Sequence, residues 1–268
     1  MLYVKRFSII INSGVVTMKA LITGASSGLG ADFARILSAK GYDLILVARR
    51  KKKMETLAKK LKTNVEILEY DLSSTYNCML LYEKVKKEKI DILINNAGFG
   101  LFGKFDETKL DIELDMIDLN IKAVHILTKS FLKDFKKRDS GYILNVASAA
   151  AFLPGPLMST YYATKAYILH LTLAISEELK KDGSNVYIGA LCPGPVDTEF
   201  NKVAKVKFNL DSLSSEYTTK YAIKEMFKRK TIIIPGIKTR MGIYMSKALP
   251  MELKLGISYK LQRSKNEK

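Results

Sequence analysis

Tyr161 and Lys165 stand four residues apart in Tyr161-Tyr162-Ala163-Thr164-Lys165. On a helix that spacing puts both side chains on one face, where they can meet the same ligand. A phenol has an ordinary pKa of about 10 and is a poor acid or base at neutral pH. A nearby ammonium favours the phenolate and lowers that value. A fall of about three units takes roughly 4 kcal/mol of differential interaction. Ser148 lies thirteen residues upstream of Tyr161 and directly follows the apolar run Tyr142-Ile143-Leu144-Asn145-Val146-Ala147. That run reads as a buried strand. A strand-end hydroxyl facing a helix-borne Tyr–Lys pair can hold a carbonyl oxygen between two donors. Any surface helix can carry Tyr and Lys at this spacing, so the surrounding elements decide what the trio does.

Those elements alternate. Short apolar runs at Lys19–Thr23, Asp43–Ala48, Asn64–Tyr70, Asp91–Asn95, Tyr142–Ala147, Asn185–Leu191 and Thr231–Ile234 read as strands. Between them lie helical stretches at 28–40, 51–61, 74–87, 111–137, 160–181 and 216–230. Gly41 closes the first helix as a C′ residue, and Ser73 or Ser74 caps the third. Apolar strands alternating with helices predict a single-domain α/β fold: a doubly wound parallel sheet of about seven strands with helices on both faces. The stretch after Gly236 reads as irregular, and 263–268 as a flexible tail. Residues 1–17 mix basic and apolar residues without a period and read as an extension outside the domain, with Met18 as an alternative start. The domain itself spans 18–262.

Between the first strand and the first helix stands Thr23-Gly24-Ala25-Ser26-Ser27-Gly28-Leu29-Gly30. Glycines there allow a tight turn, and the helix N-terminus offers N–H groups and a positive dipole end to a pyrophosphate. The second strand ends in Val47-Ala48-Arg49-Arg50, with no carboxylate to meet a ribose diol. Arg49 suits a 2′-phosphate, since a guanidinium binds that group bidentately. Arg50 reads as the opening of a basic helix.

Composition bounds the rest. The chain has 268 residues, 47% hydrophobic, enough for one large core. Cys78 and Cys192 stand far apart and read as ordinary buried thiols. His125 and His170 fit no metal-ligand pattern, and no metal is expected. No apolar run is long enough to cross a bilayer, so a soluble, cytoplasmic protein is expected. The net charge is +17. Its lysines are spread over helix faces without aromatic interleaving, which predicts no specific nucleic-acid partner.

Taken together, the motifs resemble the short-chain dehydrogenase/reductase family over residues 18–200. They are Thr23-Gly24-x-x-x-Gly28-x-Gly30, Asp71, Asn95-Asn96-Ala97-Gly98, Asn120, Ser148, Tyr161-x-x-x-Lys165 and Pro193-Gly194-Pro195-Val196-x-Thr198. The resemblance implies a seven-stranded Rossmann fold and a catalytic tetrad of Asn120, Ser148, Tyr161 and Lys165. Tyr161 would be the general acid in reduction and the base in oxidation. Lys165 would bind the nicotinamide ribose and lower the Tyr161 pKa. Ser148 would orient the carbonyl, and Asn120 would hold a water for proton relay. Tyr162 is a variable position in that family and carries no such role.

The same resemblance implies an NADP(H) cofactor. It would be held by Gly24, Ser26, Ser27, Gly28, Leu29 and Gly30 at the turn, and by Arg49 and Asp71 at the adenosine end. Asn95, Ala97 and Gly98 would follow along the fourth strand, with Asn95 bracing the sheet. Tyr161, Lys165, Pro193, Gly194, Val196 and Thr198 would hold the nicotinamide end. Some NADP-dependent members carry a basic residue where Ser27 stands, so preference would lean on Arg49.

Phe99, Leu101, Phe102, Phe152, Leu153 and Leu157 flank the expected site. A lid over 199–213 would add Phe200, Val203, Val206, Phe208 and Leu210. A small apolar ketone or alcohol is therefore the expected substrate, of hydroxysteroid, bile acid or 3-oxoacyl type. The alternative is that these residues only pack the lid to the body. A catalytically idle NADP(H)-binding sensor or scaffold on the same fold is the competing function. Leu114, Ile117, Ile121, Leu169 and Leu173 exceed what one sheet contact needs. In the family the chain resembles, the 111–137 and 160–181 helices pair with their copies across a two-fold, which implies a homodimer or homotetramer through them.

Overall fold

The computed structural model describes residues 17–200 and 212–263. The expected lid residues Val203, Val206, Phe208 and Leu210 lie outside the described residues, as do 1–16 and 264–268.

The chain alternates strand and helix in the predicted order. β1 (Lys19–Thr23), α1 (Gly28–Ala39), β2 (Asp43–Ala48), α2 (Lys51–Ala58), β3 (Val65–Glu69), α3 (Thr75–Val85) and β4 (Ile92–Asn95) form the first half. α4 (Leu110–Ile117), a π-helical turn (Asp118–Ala123) and α5 (Val124–Lys137) form one long helical run before β5 (Tyr142–Val146). Then come a 3-10 turn (Ala149–Phe152), α6 (Ser159–Lys181), β6 (Tyr187–Leu191), β7 (Val196–Asp197) and β8 (Leu213–Ser214). α7 (Ser215–Phe227), β9 (Ile232–Ile233), α8 (Ile237–Lys247) and α9 (Met251–Arg263) complete it. Seven strands form one sheet in the order β3-β2-β1-β4-β5-β6-β9, and every neighbouring pair is parallel. The strand order reverses between β1 and β4, and ligands of such sheets bind at that crevice.

Successive strand residues point to opposite faces. Ile22, Leu44, Leu46, Ile92 and Leu144 pack one way, onto Phe33 and Leu37 of α1 and Met226 of α7. Leu21, Ile45, Leu93, Ile143 and Ile188 pack the other way, onto Leu81 of α3 and Phe131 and Phe135 of α5. Both faces are thus covered, which is why the strands read as unbroken apolar runs. Caps set the helix ends. Ser74 accepts from Asn77 N at α3, a contact of about 1 kcal/mol. Tyr42 N returns to Leu37 O and Gly41 N to Ser38 O, the double closure that ends α1.

Two expectations are corrected. The 111–137 helix is interrupted by the π-turn, which re-registers the backbone around Asn120. The stretch after Gly236 is not irregular but forms α8 and α9. Gly242, Pro250 and Gly256 weaken the helical signal there. Most apolar residues of these two helices also point outward, so no single buried stripe shows in the sequence.

Candidate active site

The glycine turn is shaped by contact. Gly24 adopts φ 65°, and a Cβ on it would lie 2.8 Å from the Ala97 Cα. A Cβ on Gly30 would lie 2.3 Å from the Gly24 carbonyl oxygen, so α1 can start this close to β1 only with glycine there. Asn96 fastens the turn to the end of β4: its Nδ2 donates to Thr23 O at 3.0 Å and to Gly24 O at 3.3 Å. Ser27 precedes α1 in an extended conformation and makes no side-chain cap, and the first turn holds no acid. Its N–H groups are therefore left without a side-chain acceptor, as a helix N-terminus that can take an anion requires.

One groove of about 540 Å³ runs from this turn to the catalytic trio. It is lined by Gly24, Ser26, Ser27, Gly28 and Leu29, then Arg49 and Asp71, then Ala97 and Gly98. Ser148, Tyr161, Lys165, Pro193, Gly194, Val196 and Thr198 complete it. Three expected residues do not line it. Gly30 lies beneath the turn. Asn120 is fully buried behind Gly98. Asn95 is buried in the sheet, where its Nδ2 donates to Asn145 Oδ1 at 2.8 Å and Thr128 Oγ1 at 3.1 Å. Its place is that of a brace between β4, α5 and β5, and Asn96 takes the groove position beside it.

At the adenosine end, Ala48 closes β2 without a charge. Arg49 is exposed and reaches Asp71 Oδ2 at 3.5 Å. Burial works against the Asp71 charge, but hydrogen bonds from Ser73 and the Arg49 guanidinium hold its pKa below the usual range. Arg50 does more than open α2. Its guanidinium donates to Ser26 Oγ at 2.9 Å and Ser27 Oγ at 2.6 Å, and to Glu199 Oε2 at 2.7 Å. Lys53 donates to the other Glu199 oxygen at 2.6 Å. Hydrogen bonds from Lys53 and then Arg50 pull the Glu199 pKa down to about 2. The sequence reading missed Arg50, Lys53 and Glu199 at this site. Their one signal was the missing basic residue at Ser27, a gap that α2 fills through space.

At the catalytic end, α6 carries Tyr161 and Lys165 on the face packed against β5 and β6. Lys165 Nζ donates to Val146 O at 2.9 Å and lies 5.8 Å from the centre of the Tyr161 ring. Burial raises the Tyr161 pKa, opposed by a hydrogen bond with Ser148. Burial lowers the Lys165 pKa to about 8. The expected lowering of Tyr161 by Lys165 is therefore absent in this state. Desolvation dominates both groups, and one of the lysine's three N–H donors goes to a backbone carbonyl. Ser148 caps the 3-10 turn by accepting from Ala150 N at 3.1 Å, which fixes it beside the phenol. Asn120 Nδ2 donates to Phe99 O at 2.9 Å and Thr164 Oγ1 at 3.1 Å, and its Oδ1 accepts from Phe99 N at 3.1 Å. Its side chain ties the π-turn to the β4 loop and to α6.

The wall beyond the trio is apolar. Met116, Ala150, Met158 and Tyr161 cluster with Phe99, Leu101, Phe102, Tyr162 and Phe200. Phe152 packs elsewhere, against the cluster that contains Ile168 and Ile243. Leu169 packs in that same cluster and is not available to a partner.

The sequence profile described as short chain dehydrogenase matches residues 18–207. An uncharacterised oxidoreductase of Staphylococcus epidermidis is 34% identical over 181 residues, 67% of this chain and 78% of that protein. The human very-long-chain 3-oxoacyl-CoA reductase is 29% identical over 240 residues, 86% of this chain and 72% of that protein. A short-chain dehydrogenase from Sphingobium yanoikuyae, solved in complex with NADPH, superposes with a TM-score of 0.77 at 29% identity, covering 87% of this chain and 96% of that one. With the parallel seven-stranded sheet, the glycine turn and the convergent Ser148, Tyr161 and Lys165 in place, this chain belongs to the short-chain dehydrogenase/reductase family.

Proposed function

We propose that the protein is an NADP(H)-dependent oxidoreductase that interconverts an apolar ketone and its secondary alcohol. One observation carries the reading. A single groove holds Ser148 with the buried Tyr161 and Lys165 at one end and, at the other, Arg49 and Arg50 around the glycine turn with no carboxylate on the end of β2. The human 3-oxoacyl-CoA reductase and the NADPH complex from Sphingobium support it.

The residues fit a dinucleotide. The turn offers uncapped helix N–H groups to the pyrophosphate, and a Cβ on Gly28 would narrow the groove, lying 3.2 Å from Thr198. Arg49, with Arg50 beside it, would hold the 2′-phosphate; Pro193, Gly194, Val196 and Thr198 would flank the nicotinamide. The bound nicotinamide supplies or accepts a hydride at the substrate carbon. The chain's own residues handle the oxygen and its proton. Ser148 and Tyr161 donate hydrogen bonds to the carbonyl oxygen. In reduction the Tyr161 proton passes to that oxygen as the alcohol forms, leaving a phenolate that Lys165 stabilises. In oxidation the same phenolate takes the proton back. Met158, Phe99 and Phe200 exclude water and select an apolar body of the hydroxysteroid, bile acid or 3-oxoacyl kind.

Turnover of NADPH against ketones, steroids and 3-oxoacyl thioesters tests the reading. Tyr161→Phe should abolish it while NADPH still binds, since only the transferable proton is removed. A wild type inert on every class would leave the idle sensor as the better account, and a Tyr161→Phe enzyme that keeps wild-type turnover would overturn the role given to Tyr161.

A further inference from the structure

α8 and α9 wear their apolar residues on the outside. Seventeen large apolar side chains are exposed among the described residues, and ten of them lie between Ile237 and Leu261. Isolated exposed hydrophobics are ordinary, but a cluster of this kind marks an interaction surface. The pattern is directional. On α9, Ser258 and Gln262 are buried against the body. Leu253, Ile257 and Leu261, spaced i, i+4, i+8, form a line of side chains 42% to 50% exposed. On α8, Ile243 is buried, while Ile237, Met241 and Met245 repeat the same spacing at 58% to 74% exposed.

Charge selects the partner. From Gly236 to Lys268 the chain carries eight Lys or Arg against Glu252 and Glu267. Lys254 and Lys260 flank the apolar line on α9. A basic, apolar-faced helix lying flat suits the interface of an anionic bilayer, where lysines meet phosphate headgroups and the apolar line enters the acyl boundary. A second copy of this chain would bring the same positive face against itself across a two-fold. No described helix is long and apolar enough to cross a membrane, so the contact would be peripheral.

The surface adjoins the substrate end of the groove. Gln262 donates to the Tyr162 hydroxyl, and Tyr162 lines the groove beside Tyr161. Tyr259 lies close enough to Lys104 to act on its charge, after the larger influence of Glu107. The loop carrying Lys104 follows Leu101 and Phe102 of the apolar wall and exposes Phe105. We propose that α8 and α9 dock the protein on anionic phospholipid membrane with its substrate pocket beside the lipid.

Co-sedimentation of the full chain with vesicles tests this. Vesicles of equal parts phosphatidylcholine and phosphatidylglycerol should bind it at least tenfold more tightly than phosphatidylcholine alone. Leu253→Ser with Ile257→Ser should lose at least tenfold on the anionic vesicles, and Lys254→Glu with Lys260→Glu should lose as much. Leu253, Ile257 and Lys260 are exposed and Lys254 is half-buried, so the thermal melting of both variants should match the wild type. Loss in the lysine variant alone would reduce the contact to general attraction of a basic protein and overturn apolar docking. Sedimentation velocity showing that the Leu253 and Ile257 changes split a dimer, with vesicle binding intact, would assign the face to a second copy. The readout needs no turnover, so it stands or falls apart from the reductase reading.

Discussion

Arg50 and Glu199, 149 residues apart in the chain, meet at 2.7 Å at the rim of the groove. The carboxylate lies on Arg50 and Lys53 while Arg50 also holds the Ser26 and Ser27 hydroxyls. An internal anion thus sits on the cations that a dinucleotide phosphate would seek.

Glu199→Gln should therefore tighten NADPH. The pair is partly exposed, and such pairs are worth about 0.2–1 kcal/mol. The gain expected is about 1.4- to fivefold in Kd. Fluorescence titration of NADPH into both proteins checks it; weaker binding by the variant would show that Glu199 serves the cofactor rather than competes with it. The depressed Glu199 pKa also gives the pair a pH window. Its contribution is present above the ordinary value of 4.5 and is lost as pH falls toward about 2.

Cofactor choice rests on Ala48 and Arg49. A charge-assisted contact is worth about 1.5–3 kcal/mol, roughly ten- to a hundredfold in affinity. The wild type should prefer NADPH clearly. Arg49→Ala should erode that preference by weakening NADPH and leaving NADH little changed. Because Arg50 stands beside the same site, some preference should survive. Ala48→Asp should go further, repelling the phosphate and offering a partner to the diol. kcat/KM with each cofactor decides; equal use of both by the wild type ends the reading.

The sheet was legible because strands buried on both faces are written as apolar runs. The trio was legible because four residues make one helical turn. Arg50 was not, since its role depends on α2 meeting the glycine turn and on Glu199 arriving from far along the chain. The π-turn at Asn120 left no trace because re-registering a helix changes no residue type. Asn95 resembled both a brace and a cofactor contact, and only its bonds to Asn145 and Thr128 separate the two. α8 and α9 escaped because a periodicity argument expects the apolar face inward.

Assembly should use α4 and α6. Leu114 on α4 is exposed and Tyr167 on α6 partly so, joined to His125 of α5 at 2.8 Å. With Leu169 committed to the core, Leu114, Ile117, Ile121 and Tyr167 remain to form a four-helix contact across a two-fold. Leu114→Glu should cost about 2 kcal/mol or more at such a centre, roughly thirtyfold in the dimer Kd. Sedimentation velocity at micromolar concentration checks both proteins. A wild type that runs only as a monomer excludes the interface.

Lys165 should lower the stability of the cofactor-free protein. Burial takes its pKa from 10.5 to about 8. Between those values the unfolded chain binds more protons than the folded one, so stability rises with pH across that window. Below about 8 the whole cost is present. A shift of this size corresponds to on the order of 3 kcal/mol. Lys165→Met keeps the length and removes the charge, but it leaves the Val146 carbonyl without its donor, which costs back about 1 kcal/mol or more. The variant should be inactive, yet more stable than wild type at neutral pH by about 1–2 kcal/mol. That advantage should shrink as pH approaches 10.5, where the wild-type cost disappears. Thermal melting of both proteins across this range is the measurement. A variant that melts lower at neutral pH, or gains as pH rises, would show that the ammonium's contacts outweigh its desolvation.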